Sequence, residues 1–174
     1  MKNKTIITAA TFALCVSALI ASASDPLAGL KNRDPNAGPT VITSDRMEFD
    51  YKEFIALFEG NVKVNDPQFT LTADKMLIFF ENANEVKSVN ATGSVKIVSK
   101  SNDTDDIPIT ITSVRATYTA RNGLVLVQSK PGEPMPVVTK GENRITGAKM
   151  SVWLIEERVV VEEDVVVETN TSQK

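Results

Sequence analysis

Four carboxylates, Asp45, Glu48, Asp50 and Asp74, are the residues of this chain whose type and spacing could do covalent chemistry. Glycoside hydrolysis needs only a carboxylic acid and a second carboxylate about 5 to 10 Å apart. Other chemistries are excluded by composition. The chain has no histidine, so imidazole-based triads and zinc sites that need imidazole ligands cannot form. No glycine loop of the phosphate-cradling kind is present. A polar stretch from Ser99 to Asp106 offers three aspartates and an asparagine to a calcium ion, but it lacks the glycine and closing glutamate of a helix-flanked calcium loop, and it reads as a solvated connector. No metal site and no cofactor are expected.

The chain repeats itself, and the repeat argues against the carboxylates. Ile42-Thr43-Ser44-Asp45-Arg46-Met47-Glu48-Phe49 returns as Ile111-Thr112-Ser113-Val114-Arg115-Ala116-Thr117-Tyr118. Leu71-Thr72-Ala73-Asp74-Lys75-Met76-Leu77-Ile78-Phe79 returns as Ile145-Thr146-Gly147-Ala148-Lys149-Met150-Ser151-Val152-Trp153. Asp45 and Asp74 therefore align with Val114 and Ala148, so they read as surface carboxylates at strand ends and an enzyme is not expected. The cations behave differently. Arg46 aligns with Arg115 and Lys75 with Lys149, which places positive charge at matched points of two similar units. Those points could meet a phosphate group or could be solvated strand ends.

The elements that position these residues read as strands. Phe69-Thr70-Leu71-Thr72 alternates apolar and polar as a half-buried strand does. Phe54 to Phe58 is expected to turn at Glu59-Gly60-Asn61 into Val62-Lys63-Val64. Thr92-Gly93-Ser94 is expected to turn into Val95 to Val98. Lys130 to Pro136 would widen a hairpin, and a last hairpin would run from Arg158 to Val161 and back from Val165 to Glu168 through Glu162-Glu163-Asp164. Turn residues at this spacing indicate an all-β sandwich or barrel, made of two halves at about 40–98 and 107–169. Phe54 to Phe58 and Met76 to Phe80 are apolar at successive positions, whereas a strand with one wet face alternates. Their second face needs an apolar cover: more protein, a second copy or a bound lipid.

The flanks bound the setting. Lys2 and Lys4 precede an uncharged apolar run to Ala21, and Ala21-Ser22-Ala23 supplies small residues for cleavage, so residues 1–23 read as a cleaved signal peptide. Residues 24–39 read as a flexible leader, 40–169 as one domain and 170–174 as a polar tail. The one cysteine, Cys15, falls in the signal peptide, so no disulfide is expected. Removing Lys2 and Lys4 takes the net charge from −3 to −5, which makes nucleic acid an improbable partner.

Ile42-Thr43-Ser44-Asp45, Phe58-Glu59-Gly60-Asn61-Val62 and Thr72-Ala73-Asp74-Lys75 resemble the OstA/LptA family of periplasmic lipopolysaccharide-transport proteins. Tyr118 to Val127 and Ile145 to Met150 continue the likeness, which runs from about Pro39 to Thr169. Two departures from the family pattern stand out: its second Gly-Asn-Val turn is replaced by the Gln128 to Pro136 loop, and Thr40 stands where an apolar residue is usual. The resemblance implies a twisted antiparallel β-jellyroll, V-shaped and partly open, with an apolar groove for the acyl chains of lipid A. It implies head-to-tail homo-oligomers that bridge the inner- and outer-membrane transport components, in the periplasm, without covalent chemistry. The other reading is a structural or carbohydrate-binding β-sandwich of the cell envelope.

On the first reading the groove would be lined by Ile42, Met47, Phe49, Phe58, Phe69, Leu71, Phe79, Val95, Ile97, Tyr118, Ile145 and Trp153. A bulge near Ser44-Asp45 would bring Ile42 and Phe49 to one side. Arg46, Arg115, Lys75 and Lys149 would stand at its rim near headgroups. The oligomer edges would be Val41, Ile42, Thr43 and Ser44 at one end and Val165, Val166, Val167 and Glu168 at the other.

Overall fold

The computed structural model describes residues 38–82, 85–100, 107–153 and 158–169. The signal peptide, the leader up to residue 37, the calcium-loop candidate at 101–106 and the tail at 170–174 lie outside the described residues.

Among the described residues, twelve strands form one antiparallel, unclosed sheet. They are β1 (Val41–Thr43), β2 (Arg46–Asp50), β3 (Ile55–Asn65), β4 (Phe69–Asn82), β5 (Glu85–Ser99), β6 (Ile109–Thr119), β7 (Leu124–Gln128), β8 (Val137–Lys140), β9 (Asn143–Thr146), β10 (Lys149–Trp153), β11 (Arg158–Glu162) and β12 (Val166–Glu168). One 3-10 turn, Ala120–Asn122, leads into β7 and is closed by Gly123 at φ 62°.

The pairing shows that several of these strands are two parts of one. β1 and β2 both pair with β3, at opposite ends of it. β7 and β8 both pair with β6. β7 and β11 flank β10, while β8 and β12 flank β9. The sheet is therefore a meander of eight long strands, four of them split in two near the middle. In the uninterrupted strands β3, β4 and β5 the same line shows as register shifts at Glu59/Val62, Thr72/Lys75 and Thr92/Val95. A bulge bends its strand and raises the local twist. Bulges aligned across neighbouring strands make a crease, with one wing of sheet on each side.

The crease corrects four expectations. Glu59-Gly60-Asn61 and Thr92-Gly93-Ser94 are not hairpin turns but bulges within long strands. Gly60 and Asn61 adopt φ 77° and 48°, and Gly93 adopts φ 94°; these left-handed residues re-aim the chain without ending the ladder. The segment from Arg158 to Glu168 is not a hairpin either. β11 pairs with β10 and β12 with β9, so Glu163 and Asp164, at φ 65° and 52°, bulge a single edge strand. Lys130 to Pro136 spans the crease between β7 and β8 rather than widening a hairpin.

The apolar residues of both wings form one core. Ala56, Phe58, Met76, Ile78, Val125, Val127, Met150 and Val152 come from one wing, and Val62, Val64, Leu71, Val95, Ile97, Ile109, Ile111 and Val138 from the other. Alternation along each strand produces this. In β5, Val95 and Ile97 are buried while Lys96 is exposed. The sheet folds along its crease and buries its inner face against itself, and each buried branched side chain contributes about 1.5–3 kcal/mol.

Candidate functional site

The inner face collects most of the expected groove residues. Phe58, Leu71, Val95 and Ile97 are buried in the core, and Ile42, Phe49, Phe69 and Tyr118 pack against it. Ile42 opposes Val64, and Phe49 opposes Ala56. The interruption at Ser44-Asp45 thus turns both to the same side. Phe49 also meets Tyr51 and Phe80 edge-on, at centroid distances of 4.7 and 5.8 Å. Met47 opposes Phe58 and shares its face, yet is 44% exposed. Ile145 lies between Val138 and Val167 on the inner side.

Phe79 and Trp153 are elsewhere. Phe79 follows buried Ile78 and pairs with Ile55, and Trp153 follows buried Val152, so both point to the outer face. Arg158 stacks over the Trp153 ring at 4.8 Å. Their pairing in the repeat was real, but strand parity puts them away from the core. Each lies across the crease from an inner-face residue of the same sequence parity, Leu71 for Phe79 and Ile145 for Trp153, and the irregularity between them inverts the facing.

Inner-face residues that sequence reasoning did not assign to the groove lie at its open ends. Val165 and Val167, expected only as edge residues, have the parity of Ile145 and are 51% and 59% exposed. Ile107 precedes the buried pair Ile109 and Ile111 at the same parity and is also exposed. Alternation with their buried neighbours was the signal that could have found them.

The face is almost free of charge. Its polar residues are at the rim. Asp66, only 1% exposed, closes the far end of β3. Its carboxylate accepts from the Thr40 hydroxyl and from the Gln68 amide, while its carbonyl accepts from Lys100 Nζ. This accounts for the polar residue at position 40: Thr40 ties the start of the edge strand to a buried carboxylate. Tyr118, on the opposite wing, feels the Asp66 charge. Burial, and then that charge, push its phenol up to about 12. Its hydroxyl is buried and has no hydrogen-bond partner among the described residues.

The four cations do not stand at this rim. Arg46, Lys75, Arg115 and Lys149 each precede an inward-facing residue, so they share the outer face. They occupy two cross-strand rows: Arg46↔Glu59↔Lys75↔Thr92↔Arg115 in the first five long strands, and Gln128↔Lys149↔Glu162 in the last three. Each cation has a carboxylate. Arg46 reaches Glu59 at 2.5 Å and also Glu48, Lys75 reaches Glu59 at 3.0 Å, Arg115 holds Glu133, and Lys149 reaches Glu162 at 2.7 Å. Hydrogen bonds from Lys75 and then Arg46 hold the Glu59 carboxyl below its ordinary range. The hydrogen bond to Glu162 raises Lys149.

The candidate catalytic carboxylates are committed to structure. Asp45 accepts from Asn61 Nδ2 at 2.8 Å and packs over Gly60, where an added Cβ would come within 3.0 Å of the Asp45 Cβ. Asp74 accepts from the Ser94 amide at 3.1 Å and lies over Gly93. Glu48 pairs with Arg46, and Asp50 accepts from the amides of Lys52 and Glu53 in the turn after β2. Asp45 and Asp74 sit at the crease rather than at strand ends, whereas Asp50 ends β2 as expected.

Among the described residues, then, the sheet is open, its inner face is apolar and sparsely charged, and its two edge strands are unpaired on their outer sides. A family profile described as LptA/(LptD N-terminal domain) LPS transport protein matches residues 41–158. This chain belongs to that family of lipopolysaccharide transport proteins. The crystal structure of LptH, the LptA-homologous periplasmic component of the lipopolysaccharide transport device of Pseudomonas aeruginosa, matches with a TM-score of 0.67 at 15% identity. The match covers 76% of this chain and 95% of LptH. At that identity the likeness establishes the fold, the twisted antiparallel β-jellyroll. No curated protein sequence matches the chain.

Proposed function

We propose that this protein carries lipopolysaccharide through the periplasm, with the acyl chains sheltered between the two wings and the sugars in water. The observation that carries the reading is the half-covered apolar material where the inner face meets the two free edges. Met47 stands at the β1–β2 edge, and Val165 and Val167 at the β11–β12 edge. Within the sheet the same face is closed by its neighbours; at the ends it is open. An acyl chain leaving water gains about 0.8 kcal/mol per methylene sheltered, so a continuous apolar face lowers the barrier to transit.

The second element of the proposal is head-to-tail stacking of copies, which continues the face from one chain to the next. A sheet edge displays unpaired backbone donors and acceptors and recruits another strand. Two such edges on one open sheet permit a chain of copies, ending on membrane components of the same pathway. A carbohydrate-binding or purely structural β-sandwich would need no exposed inner-face residues at the edges.

The test is displacement of an apolar fluorescent probe from the pure protein. Lipopolysaccharide should displace it, and the isolated sugar portion should not. Failure of the probe to bind, or displacement by sugar alone, would favour the carbohydrate-binding reading.

A further inference from the structure

The crease carries a repeat finer than the two halves, and it fixes how one copy meets another. Thr43-Ser44-Asp45-Arg46-Met47 matches Thr72-Ala73-Asp74-Lys75-Met76, a strand type with a cation before an inward-facing residue. Glu59-Gly60-Asn61-Val62-Lys63-Val64 matches Glu162-Glu163-Asp164-Val165-Val166-Val167, a strand type with two left-handed residues at the bulge. Cation-type strands take every odd place in the meander; of the even places, the second and the eighth carry two left-handed residues, the fourth carries Gly93 alone, and the sixth carries the loop from Gln128 to Pro136. The first long strand is of the cation type and the last is of the left-handed type, so the free edges are the two types that pair within the sheet.

The β3–β4 pairing is therefore a template for the joint. There Glu59 opposes Lys75, Phe58 opposes Met76, Leu57 opposes Leu77, and Val64 opposes Leu71. Carried to the edges, the same register sets Glu162 against Arg46, Val161 against Met47, Val160 against Glu48, and Val167 against Ile42 of the next copy. Every inner-face residue then meets an inner-face residue, including the exposed Met47 and Val167. A slip of one residue would turn that face outward.

Charge supports this register. Glu59 is flanked by cations on both sides, Arg46 on β2 and Lys75 on β4. Among the described residues Glu162 holds the equivalent place with a cation on one side alone, Lys149 on β10, and its other side faces an unpaired edge. The arrangement of a carboxylate between two cations, complete at Glu59, is half-built at Glu162 without a second copy. Building on the stacking reading above, we infer that Glu162 is the register key of the joint: it pairs with Arg46 of the next copy, continuing both the outer charge row and the inner apolar face. The partner at this edge is a second copy of this chain, or a chain of the same crease with a cation at that position. An exposed ion pair adds little affinity; its effect is to select register.

Cysteine pairs test this in the full chain with Cys15→Ser, under mild oxidation. V160C with E48C should give a covalent ladder of oligomers on denaturing gels. V160C with R46C, or V160C with D50C, should not, because each demands a two-residue slip. A ladder from either of those pairs in place of the first would overturn the register while leaving stacking intact. If sedimentation shows only monomer and no pair cross-links, the stacking reading fails and the inference with it. Where stacking holds, E162Q should weaken association by about two- to fivefold at low salt and flatten its salt dependence. Unchanged salt dependence would remove Glu162 from the role.

Discussion

The crease is built one way in the first half of the chain and another way in the second. In the first half a carboxylate locks each bulge: Asp45 over Gly60 with Asn61, and Asp74 over Gly93 with Ser94. In the second half Val114 and Ala148 replace the aspartates, the loop from Gln128 to Pro136 replaces one bulge, and Glu163-Asp164 form the other without glycine. The two halves nevertheless share main-chain contacts at the crease. Asp45 donates its amide to the Gly60 carbonyl at 2.9 Å, and Ala148 donates to the Glu163 carbonyl at 2.9 Å. The Ser44 hydroxyl donates to the Arg46 carbonyl at 2.9 Å, and the Ser113 hydroxyl to the Arg115 carbonyl at 2.8 Å. The bend thus belongs to the main chain, and the carboxylates reinforce it where glycine leaves the backbone loose.

That contrast is open to measurement. The largest effect should come from Gly93→Val, whose side chain would meet the Asp74 carboxyl at a φ that branched residues avoid. A loss of about 2–3 kcal/mol in urea unfolding is expected; a loss under 0.5 kcal/mol would show that the crease tolerates rebuilding. Asp74→Ala makes the first half resemble the second. It should cost about 1 kcal/mol for the lost bond to Ser94, and near-neutrality would mean that the carboxylate lock is idle. Glu163→Gly makes the second half resemble the first. Relief of a non-glycine residue at φ 65° should stabilise by about 0.5–1 kcal/mol, read as a higher melting temperature. A lower one would show that the Glu163 side chain contributes something that the main-chain account omits.

The smallest effect concerns pH. Glu59 in the first half and Glu133 in the second both have carboxyls held below their usual range. For Glu59 the cause is the hydrogen bonds from Lys75 and then Arg46; for Glu133 it is the Lys130 amide first and then Arg115. A depressed carboxyl stabilises the fold above its unfolded value near 4.5, and that contribution disappears as pH falls through the folded value. Glu59→Gln and Glu133→Gln should therefore each flatten the acid limb of the stability curve and narrow their gap to the parent protein below pH 4.5. A gap that widens on acidification would contradict the sign.

The strands, the repeat and the family were legible because alternation and echoing motifs are local. Val95-Lys96-Ile97 declares its faces unaided. The crease was not legible, since Gly60-Asn61 and Thr92-Gly93-Ser94 carry the same residues whether the chain reverses or merely bulges. Only the long-range pairing decides between them. The same ambiguity moved Phe79 and Trp153 to the wrong side, because one register shift inverts parity. The cation rows were half legible: the repeat aligned Arg46 with Arg115 and Lys75 with Lys149, while the carboxylates facing them come from strands with no echo at matching distance.

The central claim, that lipopolysaccharide lies against the inner face, is tested most directly by photo-crosslinking at neighbouring positions of opposite parity. A photoreactive amino acid at Met47, Phe49 or Tyr118 should form adducts with lipopolysaccharide, whereas the same group at Leu57, Phe79 or Trp153 should not. Adducts at the outer positions with none at the inner ones would contradict the account.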